Sequence, residues 1–397
     1  MNILFLYISL PHLSESGVFN DLIKEFHRNG HNVKVATPSN SDEKTGVYKE
    51  AEIDVLRFKT NQLTRNTSNI QKGLNYIKFI PQCLSAINKF YKKEKFDLII
   101  SHSLPPEIGI VIRSLKRKYK SKFYLMLCEY IWQDSVSLGF IRENGLVKRY
   151  YQFLERLLIK QAEYIGCPSQ GNIDFVLRYY PWADRHNLHV LHYAQYPIEL
   201  EAEKIDVREK FNITNKFLVI YGGNMTIAQK IQNVIDVAES CSEYTDIVFL
   251  LLGRGPQMEE IKSKVIDKKL KNIIFINFLP QNEYNLLLSS CDIGLVSLNE
   301  RLAIPNIPSK TLSYFNLSIP IVASIDKSTD YGSYLERAGG GLWSYAGDTI
   351  KFRDNILKLY KDPELRERMG KNGNDFYMKH MMPGHAYKTI MEKINRA

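Results

Sequence analysis

Short runs of consecutive apolar residues alternate along this chain with stretches whose apolar positions recur every three or four residues. Residues 2–8 (NILFLYI) are the first run and predict a strand buried on both faces, stopped by Ser9, Leu10 and Pro11. A polar turn with Gly17 follows. Val18, Phe19, Leu22, Ile23 and Phe26 then fall at helical spacing, and Gly30 marks the end of that helix. Residues 32–37 (NVKVAT) predict the next strand. Strand, glycine loop, helix and strand open an α/β domain.

The pattern repeats. Strands are predicted at 96–101 (FDLIIS), 123–128 (FYLMLC), 164–167 and 188–192. One helix opens at Pro105-Pro106 and runs to the lysines near Lys118, and another spans 146–162. Residues 194–206 mix Pro197 with alternating charge and read as a linker. A second series begins at 217–221 (FLVIY) and continues at 247–252, 273–277, 293–297 and 320–324, with helices from Asp348 onward. The chain thus divides into two open α/β domains, 1–195 and 205–378. Open sheets take ligands at the carboxyl ends of their strands, and a cleft between two such domains is the default site.

Charge sharpens the picture. The formal net charge of +10 resides in residues 51–150, which hold 18 Lys/Arg against 8 Asp/Glu; the remaining 297 residues balance at 35 of each. Nucleic acid, an anionic membrane surface, an anionic substrate or mere solvation could each account for one basic region. No zinc-finger or RNP signature accompanies the charge, so nucleic acid is not expected as a partner. Leu74, Ile77, Ile80, Leu84, Ile87 and Tyr91 form an apolar stripe over 69–93, which by itself fits a core helix. The interleaved lysines and the cluster Lys116, Arg117, Lys118, Lys120 and Lys122 point instead to a membrane-facing surface over 69–122. Five scattered cysteines without a CxxC pair suggest a reducing compartment, and neither a signal peptide nor an apolar span is expected. The expectation is a cytoplasmic protein bound peripherally to the inner face of the plasma membrane.

Candidate chemistry gathers at strand-to-helix turns. Gly222, Gly223 and Asn224 end one strand ahead of Gln229 and Lys230, where backbone amides and a cation suit a phosphate. Gly253, Arg254 and Gly255 form a second glycine turn that lacks the full dinucleotide fingerprint. Pro308, Ser309 and Lys310 open a helix, with Ser309 as the expected cap. His102 ends the third buried strand, facing the cleft, where it could donate to a sugar hydroxyl or move a proton. HExxH, GxSxG and GxxxxGK[ST] are absent from the text.

In this order, Gly223-Asn224, Gln229-Lys230, Gly253 with Gly255-Pro256, Pro308-Ser309-Lys310 and Ile319-Pro320-Ile321-Val322-Ala323 resemble the GT-B glycosyltransferases, nearest to the retaining sequence family 4. The segment from Glu129 through Trp132 and Asp134 to Gly139 resembles the branch that builds capsule and O-antigen. The resemblance implies two Rossmann-like domains facing across a cleft, with a terminal helix at 379–397 returning to the first. It also implies a nucleotide-diphosphate sugar as co-substrate, UDP-linked by expectation, a glycan or lipid-linked glycan acceptor, retention of configuration, and neither cofactor nor metal.

Carried over residue by residue, Gly17 and His102 fall near donor phosphate and acceptor, and Lys230 near the β-phosphate, with His102 and Lys230 as the catalytic pair. Gly223, Asn224, Gln229, Gly253, Gly255, Ser309 and Lys310 fall to the donor, and Glu129, Trp132 and Asp134 to the acceptor. The two glutamates usual in the family are Pro305 and Ser313 here, and the usual arginine is Asn224. A non-catalytic nucleotide-sugar or glycan-binding subunit, or a nucleotide-sugar epimerase of the same fold, therefore stand beside the transferase as readings.

Overall fold

The computed structural model describes residues 1–39, 44–61, 69–127, 132–200, 207–211, 213–277 and 279–396. The chain divides into two compact units, Met1–Tyr196 with Met382–Ala397, and Pro197–Met381. Among the described residues, the strands of the first unit are β1 (Asn2–Leu6), β2 (Asn32–Pro38), β3 (Gly46–Glu50), β4 (Ile53–Phe58), β5 (Leu98–His102), β6 (Lys122–Met126), β7 (Tyr164–Cys167) and β8 (Leu188–Val190). They form one sheet in the order β3-β4-β2-β1-β5-β6-β7-β8, parallel except for the β3/β4 pair. The helices are α1 (Val18–Arg28), α2 (Asn69–Phe90), α3 (Ile108–Tyr119), α4 (Trp132–Ser137), α5 (Leu146–Gln161) and α6 (Gln170–Tyr179).

Continuous apolar strands are what a sheet covered on both faces requires. Ile3 and Phe5 of β1 point into one core with Ile23 and Phe26 of α1, whereas Leu4 and Leu6 point into the other with Val111, Ile112 and Leu158.

The second unit carries β9 (Phe217–Asn224), β10 (Ile247–Arg254), β11 (Ile273–Ile276), β12 (Ile293–Ser297), β13 (Ile321–Ile325) and β14 (Gly341–Tyr345) in the all-parallel order β11-β10-β9-β12-β13-β14. Its helices are α7 (Val207–Lys210), α8 (Gln232–Ser240), α9 (Met258–Asp267), α10 (Gln281–Ser289), α11 (Lys310–Asn316), α12 (Tyr331–Ala338), α13 (Thr349–Lys361) and α14 (Pro363–His380). The last helix, α15 (Pro383–Asn395), belongs to the first unit. Its Ala386, Ile390 and Ile394 join the core of Phe5 and Phe26, and Tyr387 meets Phe26 edge-on at 4.9 Å between ring centres.

In each sheet the winding reverses beside the first strand, so β1 lies between β2 and β5, and β9 between β10 and β12. Loops diverge at such a point and open a crevice at the carboxyl edge. Both reversals fall beside residues singled out above.

The structure also differs from the pattern-based reading. The β3–β4 hairpin and β14 carry no strong run and went unpredicted. The hairpin turns through Ala51 and Glu52 at φ 47° and 62°, a left-handed turn that glycine or asparagine usually marks. The helix expected from Pro105-Pro106 begins at Ile108, after single turns in which Ile108 N–H donates to the Pro105 carbonyl at 3.0 Å.

Candidate active site

The carboxyl edge of the second sheet is built on close backbone approach. Gly253 pairs with Gly223 across β10 and β9. A Cβ at Gly253 would lie 1.8 Å from the Gly223 carbonyl oxygen, and one at Gly255 would lie 2.2 Å from that of Met225. Strand packing alone therefore requires glycine at both positions. Asn224 stands exposed at the tip of β9, its carbonyl accepting from the Tyr221 hydroxyl at 2.7 Å.

Lys310 begins α11 and reaches back to this turn. Its Nζ sits 3.6 Å from the centre of the Tyr221 ring, and a Cβ at Gly223 would be 3.2 Å from it. No carboxylate pairs with Lys310 among the described residues; burial lowers its pKa to about 7. A desolvated ammonium held on an aromatic face beside a glycine turn is poised to accept an anion.

Ser309 precedes it but does not cap. The residue is already helical (φ −60°, ψ −24°), and α11 starts with tight turns in which Thr311 N–H donates to Pro308 and Leu312 N–H to Ser309. The expected cap bond is therefore absent, and the Ser309 side chain is left exposed.

Lys230 does not open a helix. It closes a short 3₁₀ turn, Ile227–Gln229, in the left-handed conformation at φ 38°. Ser297 Oγ and Asn233 N–H both donate to its carbonyl, at 3.1 and 3.0 Å, fixing that backbone between β9 and β12. Gln229 is tied to the Thr226 hydroxyl. The Lys230 ammonium is paired with Glu300, just past β12. Burial alone would raise the Glu300 carboxyl, but the bond to Lys230 and the charges of Lys230 and Arg301 hold it below the usual carboxylate range. Glu300 was not anticipated: it lies 70 residues from its partner and in no motif. Pro305 and Ser313 occupy the positions of the family's two glutamates.

On the first unit, His102 ends β5 and is not an open group. It is only 7% exposed, with the rings of Tyr7 and Phe19 each 5.2 Å from its own. Its Nδ1 accepts from Leu104 N–H at 3.3 Å, and burial lowers its pKa to about 4. The imidazole is therefore neutral at pH 7 with its proton on Nε2: a hydrogen-bond donor rather than a ready acid. Strand β5 is covered on both faces, so its last side chain packs against aromatic neighbours.

Gly17 precedes α1, and a Cβ there would meet nothing within 4 Å. The loop leading to it is clamped. Arg57, itself buried, pairs through Nε with Glu50 Oε1 at 2.8 Å and donates to the carbonyls of Leu10 and Pro11 at 2.7 and 3.1 Å. Glu50 Oε2 accepts from Leu13 N–H at 2.9 Å. At the far end Asp21 accepts from the Ser16 hydroxyl and from Tyr196 N–H at 2.7 and 3.0 Å.

Of the acceptor-side residues, Glu129 lies outside the described residues. Trp132 is buried against Tyr179, with the Lys148 ammonium 5.1 Å from its ring, and Asp134 sits half-buried in α4. The neighbouring Gln133 anchors that helix by donating to buried Glu155 at 2.9 Å.

The basic region divides. Within the α2 stripe Ile87 and Tyr91 are core residues, whereas Leu74 and Ile77 are exposed. Ile80 and Leu84 pack against the same core, joined by Phe79, Cys83 and Ala86, so the buried face is broader than the expected stripe and leaves out its first two members. The 116–122 cluster lies at the opposite end of the helical layer, where α3 ends and β6 begins. Lys116 there is engaged by Glu163 at 2.6 Å and Lys118 by Asn88 at 2.7 Å. Among the described residues no helix is long and apolar enough to cross a membrane, and no three His, Cys, Asp or Glu gather as a metal site.

Comparison with known proteins agrees with this architecture. Residues 17–194 match the model of the glycosyl transferase 4-like domain and residues 203–376 that of glycosyl transferases group 1. The UDP-glycosyltransferase TURAN of Arabidopsis thaliana is 26% identical over 154 residues, 38% of this chain and 32% of its own length. The matched segment thus spans about a third of that relative. Sucrose-phosphate synthase from Thermosynechococcus elongatus superposes with a TM-score of 0.75 at 14% identity, covering 100% of this chain and 99% of that one. Anabaena HepE in complex with UDP superposes at 0.73, also at 14% identity, with both chains fully covered (100%). Two parallel-sheet units, each matched by a glycosyltransferase model and together sharing the GT-B fold of these structures, assign the chain to the GT-B glycosyltransferases.

Proposed function

We propose that this protein transfers a sugar, with retention of configuration, from a nucleoside-diphosphate donor to a glycan or lipid-linked glycan acceptor in bacterial surface polysaccharide synthesis. The observation that carries the reading is Lys310: a cation without a carboxylate partner among the described residues, held on Tyr221 at the Gly223 turn. A diphosphate at the carboxyl edge of β9 would supply the missing charge. The crystallised complexes of HepE with UDP and with UDP-glucose favour a uridine donor.

Negative charge grows on the diphosphate oxygens as the sugar leaves, and Lys310 stabilises it from a position that needs no reorganisation. Lys230 adds a second cation once the diphosphate displaces Glu300. His102, neutral, donates through Nε2 to a sugar hydroxyl. Asn224, Gln229, Ser309 and the glycines at 17, 223, 253 and 255 line the donor's path, and Trp132 and Asp134 belong to the acceptor side. No carboxylate is assigned as nucleophile, so with retention attack and departure share one face of the sugar, without a covalent intermediate. A lipid-linked acceptor fits an enzyme bound peripherally to the cytoplasmic face of an anionic membrane.

Pro305 and Ser313, in place of acidic residues, favour a second reading in which the chain binds the donor but does not turn it over. Titration calorimetry with UDP-glucose, followed by an assay of UDP release, tests both. Binding with turnover supports the transferase, and binding without turnover supports the second reading. Lys310→Met should weaken binding about tenfold or more, as expected for a charged hydrogen bond of about 1.5–3 kcal/mol. Unchanged affinity in that variant removes the donor assignment.

A further inference from the structure

The first two turns of α5 carry their apolar side chains outward. Leu146 is 80% exposed, Phe153 61% and Val147 54%, with Tyr150 on the same face. Positions 146, 150 and 153 are four and three apart, so they line one side of the helix. Phe140, in the turn before α5, is equally exposed. The inward side of the same helix holds Leu154, Glu155, Leu158 and Ile159. The core is therefore satisfied without Leu146, Val147 and Phe153, which form an exposed apolar face that packs against no core cluster among the described residues.

The topology groups this face with another. Helices in a parallel sheet run against the strands, so the first turns of α2, α3 and α5 all lie at the carboxyl edge, beside the end of β5. Leu74 and Ile77, the exposed apolar residues of α2, fall at that same end. The two helices converge there on Glu107, at the start of α3. The Tyr150 hydroxyl donates to it at 3.2 Å, and Tyr76 of α2 is close enough to feel its charge. Lys78 follows Ile77, Arg142 lies between Phe140 and Leu146, and Arg149 precedes Tyr150; all three are exposed and form no ion pair among the described residues, whereas Glu143 beside them is neutralised by Lys148. Exposed apolar residues interspersed with unpaired cations have the chemistry of a bilayer interface, where acyl chains take the first and anionic headgroups the second. Single exposed leucines need no explanation, but a clustered set of this size does.

We infer that the outer face of α5, together with the start of α2, docks this protein on an anionic phospholipid bilayer with the carboxyl edge of its first sheet toward the lipid. The inference rests on the reading of a lipid-linked acceptor and deepens it. The acceptor's anchor and the docking face share one edge, while the lysines at 116–122 lie at the other end of the layer.

Co-sedimentation of the full chain with phosphatidylglycerol vesicles, using phosphatidylcholine vesicles as the control, tests it. Two variants are compared: Leu146→Ser/Val147→Ser/Phe153→Ser, and Lys116→Gln/Arg117→Gln/Lys118→Gln/Lys120→Gln. The first should lose about tenfold or more of its partitioning into anionic vesicles while binding UDP-glucose as the parent does. The second should retain most of its partitioning. Equal partitioning of the first variant and the parent, no binding of the parent to either vesicle, or a dimer in sedimentation velocity that the first variant dissolves would each overturn the inference. None of these outcomes touches the donor assignment, which stands or falls on Lys310→Met.

Discussion

Lys310 shows how a single side chain can carry a functional argument. Its pKa falls to about 7 because burial strips water from the ammonium and no carboxylate among the described residues compensates. An arriving diphosphate would favour the charged form, so binding should draw a proton from solvent at pH 7 and weaken as pH rises further. Calorimetry with UDP-glucose in buffers of different ionisation enthalpy reads this directly. Proton uptake centred near pH 7 in the parent, absent in Lys310→Met, is the expected result. Release, or no exchange, would mean that the ammonium is not at the phosphate. Lys230 offers a contrast. It has the same charge, but Glu300 already satisfies it, so its part in binding includes the cost of breaking that pair. Lys310 was visible in the text because a lysine follows Pro-Ser at a helix start. Glu300 and the Tyr221 ring were not, because each matters only through a partner brought close by folding.

Among the elements, the β3–β4 hairpin does more than edge the sheet. Glu50 ends one strand and Arg57 lies near the end of the other, and together they hold the loop after β1 at Leu10, Pro11 and Leu13. Arg57→Ala leaves a buried carboxylate unpaired and releases that loop. A loss of about 3–5 kcal/mol of stability is expected from urea denaturation. Arg57→Lys keeps the charge but not the planar fork, so it should restore only part of that loss. If Arg57→Ala costs less than about 1 kcal/mol, the clamp is not what holds the loop. The hairpin was illegible in the sequence for a definite reason: Ala51 and Glu52 supply its turn, and Tyr48 and Lys49 at its exposed edge give no apolar alternation. The central strands, by contrast, read directly from runs such as FLVIY, because a parallel sheet buries both faces.

Across the whole molecule, the two-domain α/β plan and the strand-to-helix turns of the second unit were legible, since each rests on local runs and glycines. The full breadth of the buried face of α2 was not, because Phe79, Cys83 and Ala86 lie beside the apolar stripe and only packing shows that they turn inward while Leu74 and Ile77 do not. The return of the terminal helix, α15, to the first unit is also a long-range fact: the family resemblance implied it, but no local pattern in the sequence does. Removing residues 383–396 should uncover the core at Phe5 and Phe26, at about 2 kcal/mol for each large side chain lost. Hydrogen exchange should then rise in β1 and α1 while β9 and β10 stay protected. Equal loosening in both units would contradict the division. The passage of the chain out of the first unit, through the whole of the second and back again has a consequence for biosynthesis. A ribosome delivers residues 197–381 as one uninterrupted piece that can settle as it emerges, whereas the unit begun first must wait for a helix made after its neighbour is complete. The half begun first is thus the half finished last, and until α15 arrives it is the half that chaperones must shield.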